Sequence, residues 1–281
     1  MGVEVRTIAV LGAGKIGSAI IKAISECWGG VKVIATGRRD TTLDNARALG
    51  AEATRDNRGA VKLADLVILS VKPQHFPTVL SQTGTDVWSG KIVVSVMAGI
   101  RLRTLEAVLK GAKVYRAMTN INALVRKAST AVATLNNDDL SRGVVERLFS
   151  CLGSVYWVPE EYLDIWTALV GSGPAFISEI IDALVLGAVA SGMPRDIAYK
   201  AILDVLEGTA ILLKNRDAHP AEIRDEVTTP GGTTIRGLAV MESKGVKSAL
   251  METVEAAYRR SSEIGVDIDA FIRKELNLKQ G

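Results

Sequence analysis

Arg6-Thr7-Ile8-Ala9-Val10-Leu11-Gly12-Ala13-Gly14-Lys15-Ile16-Gly17 decides the fold of this chain. Arg6–Leu11 is a β-rich apolar run that reads as a strand, and Ile16–Trp28 carries a helical period. Between them stands the pattern G-x-G-x-x-G. Gly12 permits the tight turn, Gly14 lets the backbone approach a pyrophosphate, and Gly17 lets helix pack on strand. The string alone is common, but between a strand and a helix it marks a dinucleotide-binding turn. Gly12, Ala13, Gly14, Lys15, Ile16 and Gly17 are therefore the first expected cofactor contacts.

The next strand, Val31–Thr36, ends in Thr36-Gly37-Arg38-Arg39, with Asp40 only after the arginines. A site for NAD usually places an acid here to hold the ribose 2′-hydroxyl. Guanidinium groups instead pair with phosphate. The pattern predicts NADPH, with NADH as the alternative, and sets Arg38, Arg39 and Thr36 around the 2′-phosphate. Later strands lead into Ser70-Val71-Lys72-Pro73-Gln74, Val96-Met97-Ala98-Gly99 and Met118-Thr119-Asn120. Turns at the carboxyl ends of parallel strands line one crevice. Ser70, Val71, Lys72, Pro73, Met97, Ala98, Gly99 and Asn120, with Asn57, complete the expected cofactor set. Lys72 also reads as a surface lysine and Asn120 as a simple turn residue.

Outward from this turn, the chain has two halves with different periods. Strands are expected at Leu66–Ser70 and Lys91–Val96, and near Val114–Ala117, Ala131–Leu135 and Ser154–Val158. Helices are expected at Thr41–Leu49, Arg101–Leu109 and Leu140–Cys151. After about Glu160 the strand signals stop. Helical patterns follow at Leu163–Val170, Pro174–Ser191, Arg195–Leu213, Ala221–Glu226, Thr233–Glu242 and Lys247–Ile264. The reading is an α/β Rossmann-type domain, a doubly wound and mostly parallel sheet, over residues 1–160. An all-α domain over residues 161–281 follows, with the boundary near residues 158–165.

The 34 basic and 31 acidic residues leave a net charge of +3, with no basic block, so nucleic acid is not an expected partner. Cys27 and Cys151 lie far apart in sequence and form no metal spacing; a reduced, cytoplasmic protein without metal is expected. The start, Met1-Gly2-Val3-Glu4-Val5-Arg6, has no long apolar signal, and Arg6 stands where acylation of Gly2 wants Ser or Thr. Pro174–Met193 is apolar and long enough to cross a bilayer, yet carries Glu179 and Asp182. It reads as a helix buried in an oligomer rather than in a membrane.

Thr228-Thr229-Pro230-Gly231-Gly232-Thr233-Thr234 precedes a helix. Glycines free the backbone to turn, and the first amides of a helix, with its dipole, make a seat for a carboxylate or phosphate. The threonine hydroxyls add groups that both donate and accept. The plain alternative is a helix cap. His75, after the Lys72-Pro73 loop, reads as a surface histidine, with a place facing the crevice as the alternative, and His219, before Pro220, as a helix start. Glu160 and Glu161 read as charges at a helix start, and Gly171-Ser172-Gly173-Pro174 as close helix packing in a dimer core.

Together, Gly12–Gly17, Ser70–Gln74, Gly171-Ser172-Gly173-Pro174-Ala175-Phe176 and Thr229-Pro230-Gly231-Gly232-Thr233-Thr234 resemble the pyrroline-5-carboxylate reductase family over nearly the whole chain. The resemblance implies an NAD(P)H-dependent oxidoreductase that reduces 1-pyrroline-5-carboxylate to L-proline. It implies a homodimer joined through the helical domains, in some members a ring of five dimers. It also implies substrate binding by Thr229, Gly231, Gly232, Thr233 and Thr234, with the carboxylate on main-chain amides around Gly231, Gly232 and Thr233. Thr234 would bond the ring nitrogen and is the expected catalytic residue. Met118-Thr119-Asn120 departs from the family's Met-Pro-Asn, Thr229 stands for a usual serine, and Glu226 for a frequent asparagine.

A protonated imine needs a hydride donor and a fixed position more than a strong protein acid, which suits a chain with two histidines. One rival is another reductase of this architecture, using Lys200 or Asp204. A second is a non-catalytic NADP-binding sensor, which would need no substrate loop.

Overall fold

The computed structural model describes residues 4–278, so Gly2 and its acylation motif lie outside the described residues. In chain order the first elements are β1 (Thr7–Leu11), α1 (Lys15–Cys27), β2 (Lys32–Thr36), α2 (Asp40–Ala48), β3 (Glu52–Thr54), α3 (Asn57–Leu63) and β4 (Leu66–Leu69). Then come α4 (Phe76–Thr83), β5 (Ile92–Ser95), α5 (Leu102–Val108), β6 (Lys113–Met118), β7 (Ala128–Thr134), α6 (Asp139–Ser150) and β8 (Gly153–Trp157). The helical part holds α7 (Tyr162–Trp166), α8 (Gly173–Ala190), α9 (Arg195–Arg216), α10 (Pro220–Glu226), α11 (Thr233–Ser243) and α12 (Val246–Glu275). Two compact units result. One contains residues 1–172 and 257–281, the other residues 173–256.

The first unit is an eight-stranded sheet in the order β3-β2-β1-β4-β5-β6-β7-β8. Alternation along β1 explains how both faces are covered. Ile8 and Val10 pack with α1 and α6 residues such as Ile20, Ile24, Leu148 and Phe149. Ala9 and Leu11 pack on the opposite face with Val61, Phe76, Leu80 and Leu105 of α3, α4 and α5. Strand order reverses between β1 and β4, which pair in parallel, and this is the switch point where a doubly wound sheet opens a crevice.

One pair breaks the parallel rule. β6 and β7 are antiparallel, because only a short 3₁₀ turn, Ile121–Val125, joins them. A parallel return needs a crossover of a dozen residues or more. The last turns of α12 belong to this unit. Asp269 accepts from the Arg101 amide at 2.8 Å and from Thr104 Oγ1 at 3.0 Å, while Ile272 is fully buried. Glu160 also works here: it accepts from the Leu102 amide and pairs with the buried Arg116 at 3.0 Å. It thus ties α5 to β6 rather than merely charging a helix start.

The expectation of two reduced cysteines is corrected. Cys27 and Cys151 form a disulfide, with their Cα atoms 5.6 Å apart. They end α1 and α6, which share one face of the sheet, so a separation of 124 residues collapses in space.

In the second unit α8 and α9 pack together through a short turn, with Asp182 and Arg195 3.7 Å apart. His219 caps α10: its Nδ1 accepts from the Ala221 amide, and Glu222 accepts from the His219 amide. Residues Tyr162–Ala190 run as one helical stretch long and apolar enough to cross a membrane by length and composition, although little of it is buried within the chain.

Candidate active site

A cleft of about 460 Å³ opens at the switch point, lined by Gly12, Ala13, Gly14, Thr36, Arg38, Arg39, Asn57, Ser70, Val71 and Lys72 among the expected residues. Its floor is built by close approach. Gly12 has φ +99°, and a Cβ at Gly17 would stand 2.3 Å from the Gly12 carbonyl oxygen. The amides of Gly12 and Ala13 both donate to the Thr36 carbonyl, at 3.2 and 3.0 Å. Ser70 Oγ donates to the Gly12 carbonyl at 2.6 Å. These three residues therefore shape the turn. Amides left open come one step later. Among the described residues, Gly14, Lys15, Ile16 and Gly17 donate to no carbonyl, as expected for a helix start without a side-chain cap. Nothing stands within 4 Å of a Cβ placed at Gly14, so the approach to these amides is open.

At the far end, Arg38 and Arg39 are joined by Arg55 and His75, which also line the cleft. Arg38 Nη2 lies 3.0 Å from His75 Nε2. Arg55 Nη2 donates to Asp40 Oδ1 at 2.6 Å and Arg55 Nε to the Arg38 carbonyl at 3.4 Å. Burial, then the nearby charges of Arg38 and Lys72, hold the His75 imidazole below the usual histidine range. Asn57 donates to Gln82 Oε1 at 2.6 Å, while its own Oδ1 is buried with no partner. Basic groups, open helix amides and an orphaned acceptor at one cleft fit a 2′-phosphorylated dinucleotide.

Lys15, Ile16, Gly17, Pro73, Met97, Ala98, Gly99 and Asn120 are not among the residues lining this cleft. Met97 is buried in the core, and Gly99 packs against Ile268 of α12. Asn120 is 7% exposed; its Nδ2 donates to the Val170 carbonyl at 3.2 Å and its Oδ1 has no partner. The Val170 carbonyl lies in a π-helical turn, Thr167–Gly171, which leads into the Gly171–Phe176 motif. The first unit thus brings the turn after β6 and the start of this motif together.

In the second unit the Thr229–Thr234 stretch forms a tight turn into α11. Gly231 has φ +69°, and Gly232 is the N-cap, its amide donating to the Thr229 carbonyl at 3.1 Å. A Cβ at Gly232 would meet Thr229 Oγ1 at 2.3 Å. The Gly232 amide is thus engaged within the turn. Among the described residues the amides of Thr233, Thr234 and Ile235 donate to no carbonyl, and the half-buried Thr234 hydroxyl has no partner. Lys200 and Asp204 lie exposed on α9.

Sequence reasoning missed Arg55 and assigned His75 to the plain surface. Arg55 follows a three-residue edge strand that carries no periodic signal. A basic residue shortly after the Arg38-Arg39 pair was the available clue.

A family model described as pyrroline-5-carboxylate reductase dimerisation matches residues 160–264, and one described as NADP oxidoreductase coenzyme F420-dependent matches residues 7–99. Pyrroline-5-carboxylate reductase 3 of Mus musculus is 37% identical over 268 residues, 93% of this chain and 97% of its own. The chain belongs to the pyrroline-5-carboxylate reductase family. The reductase of Methanosarcina acetivorans is 38% identical over 270 residues, 93% of this chain and 99% of its own. A crystal structure of Plasmodium falciparum pyrroline carboxylate reductase with NADP bound superposes with a TM-score of 0.82 at 25% identity, covering 92% of this chain and 98% of that one.

The chain is accordingly an NAD(P)-dependent oxidoreductase: an α/β NADP-binding domain followed by a helical dimerisation domain. The exposed apolar side chains of α8 and α9, such as Ile177, Leu184, Ile197 and Val205, fall within that dimerisation region.

Proposed function

We propose that this chain transfers hydride from NADPH to the C=N carbon of 1-pyrroline-5-carboxylate, giving L-proline. Arg38, Arg39 and Arg55 hold the 2′-phosphate, and the amides of Gly14, Lys15, Ile16 and Gly17 hold the pyrophosphate. Asn57 Oδ1 offers a buried acceptor to the cofactor. When bound, the cofactor supplies the hydride. The amides of Thr233, Thr234 and Ile235 hold the substrate carboxylate, and the Thr234 hydroxyl accepts from the protonated ring nitrogen. Catalysis is then mainly positioning, because the substrate arrives as the better electrophile. The observation that carries this reading is the first turn of α11, where open amides and an unpartnered hydroxyl stand together.

Thr234→Ala tests it. NADPH binding and thermal midpoint stay at wild-type values while turnover on 1-pyrroline-5-carboxylate falls roughly ten- to a thousand-fold. Unchanged turnover removes Thr234 from the mechanism.

A second copy of the chain covers the apolar faces of residues 161–281. Among them is a groove of about 1050 Å³ lined by Ile235, Leu238, Met241, Leu250 and Met251. The working form is a cytoplasmic homodimer, and a ring of five such dimers is the further assembly that the resemblance implies for some members of the family. Light scattering on the purified chain distinguishes monomer, dimer and decamer.

A further inference from the structure

The phosphate end of the cleft contains one group that can change charge near neutral pH. His75 stands half-buried at the start of α4, and its Nε2 lies 3.0 Å from Arg38 Nη2. Arginine can only donate, so in this arrangement Nε2 is the acceptor and the imidazole is neutral. The charged groups around it are Arg38 and Arg39 from the loop after β2, Arg55 from the loop after β3, and Lys72 on its own loop. Among the described residues no acid lines the cleft, and Asp40 is ion-paired to Arg55. From α3 and α4 the cleft receives only neutral side chains: Asn57, Thr78, Val79 and Gln82.

Burial first, then the charges of Arg38 and Lys72, disfavours the imidazolium, and the Arg38 contact to Nε2 suits the neutral ring. A dianionic 2′-phosphate seated against Arg38 offsets much of that positive charge and accepts from an imidazolium. We infer that His75 binds a proton when the 2′-phosphate enters and donates to it, so that the choice between NADP and NAD depends on pH. NADPH gains an additional charged partner as pH falls through neutrality, whereas NADH, lacking the phosphate, gains none. The inference rests on the placement of the 2′-phosphate beside Arg38.

The test is proton uptake on binding, measured on the full-length chain by calorimetry in buffers of different ionisation enthalpy at about pH 7. The probes are 2′,5′-ADP and 5′-ADP, which differ by the phosphate in question. His75→Gln keeps an acceptor for Arg38 but cannot titrate. Wild-type protein is expected to take up roughly 0.3–0.8 proton more with 2′,5′-ADP than the His75→Gln variant does, and no more with 5′-ADP. The dissociation-constant ratio of NADH to NADPH should rise roughly three- to tenfold between about pH 8 and about pH 6.5 in wild type and stay flat in the variant.

Because the chain has only two histidines, the ring resonances of His75 and His219 also report the titration directly. Equal proton uptake in wild type and variant overturns the inference, as does an unchanged ring resonance on adding 2′,5′-ADP. Arg38→Ala separates the two levels. If it binds 2′,5′-ADP as tightly as wild type, the phosphate seat itself is misplaced. If it loses affinity while His75→Gln matches wild type in proton uptake, only the role of His75 fails.

Discussion

Arg55 Nη2 and Asp40 Oδ1 stand 2.6 Å apart, so the acid that follows the two arginines after β2 is tied to a third arginine. The pair is well exposed, at 58% and 80%, and such pairs contribute at most about 1 kcal/mol. A phosphate can therefore draw Arg55 away from Asp40 at small cost. Asp40→Asn should tighten NADPH binding roughly two- to fivefold at low salt and leave NADH unchanged, by fluorescence titration. Arg38→Ala should weaken NADPH binding roughly ten- to a hundred-fold and NADH less than about twofold.

Gly232 is fixed by the hydroxyl beside it. A methyl there would meet Thr229 Oγ1 at 2.3 Å, so Gly232→Ala must displace Thr229 or open the turn. The expected result is a fall in kcat/KM for the imine of roughly a hundred-fold with the NADPH dissociation constant unchanged. Steady-state kinetics beside a binding titration checks both halves.

The disulfide closes a long loop. Cross-linking residues 124 apart limits the unfolded chain, worth about 4–5 kcal/mol on a chain-entropy account. Cys27→Ser with Cys151→Ser, or reduction of the wild type, should lower the thermal midpoint by roughly 5–15 °C. A double variant indifferent to reductant and as stable as the oxidised protein removes this contribution.

Acid sensitivity has an identifiable part. Asp86 is held at about 2 rather than 3.8, chiefly by its hydrogen bonds from Arg58. The folded state binds this proton less tightly than the unfolded state does. Its stabilisation is therefore present above about pH 4 and disappears as pH falls toward 2. The thermal-midpoint gap between wild type and Asp86→Asn should close over that window.

Much of this was legible from residue pattern. β1, α1 and β2 announce themselves because Arg6–Thr36 alternates periods around a glycine turn that has one structural use. β3 did not, being three residues at a sheet edge, and α3 and α4 are a turn or two long, below the span a period needs. The antiparallel β7 was found but not its direction, which loop length decides. α12 runs past the expected end at Ile264 to Glu275, because the buried Gly265 sits beside Arg101 and Asp164 instead of ending the helix. The pairing of Cys27 with Cys151 depends on two helices sharing a face, which no spacing encodes. The glycine turn before α11 was readable, but which amides the turn consumes was not: Gly232 gives its own to Thr229.

The central claim is that the first turn of α11 binds the carboxylate of a cyclic imine. Comparing kcat/KM for 1-pyrroline-5-carboxylate and for 1-pyrroline, which lacks only that carboxylate, tests it most directly, with NADPH oxidation and L-proline formation as readouts. A preference of roughly a hundred-fold or more for the carboxylate, abolished in Gly232→Ala, is the predicted result. Equal rates on the two imines, or no NADPH oxidation with either, would contradict it.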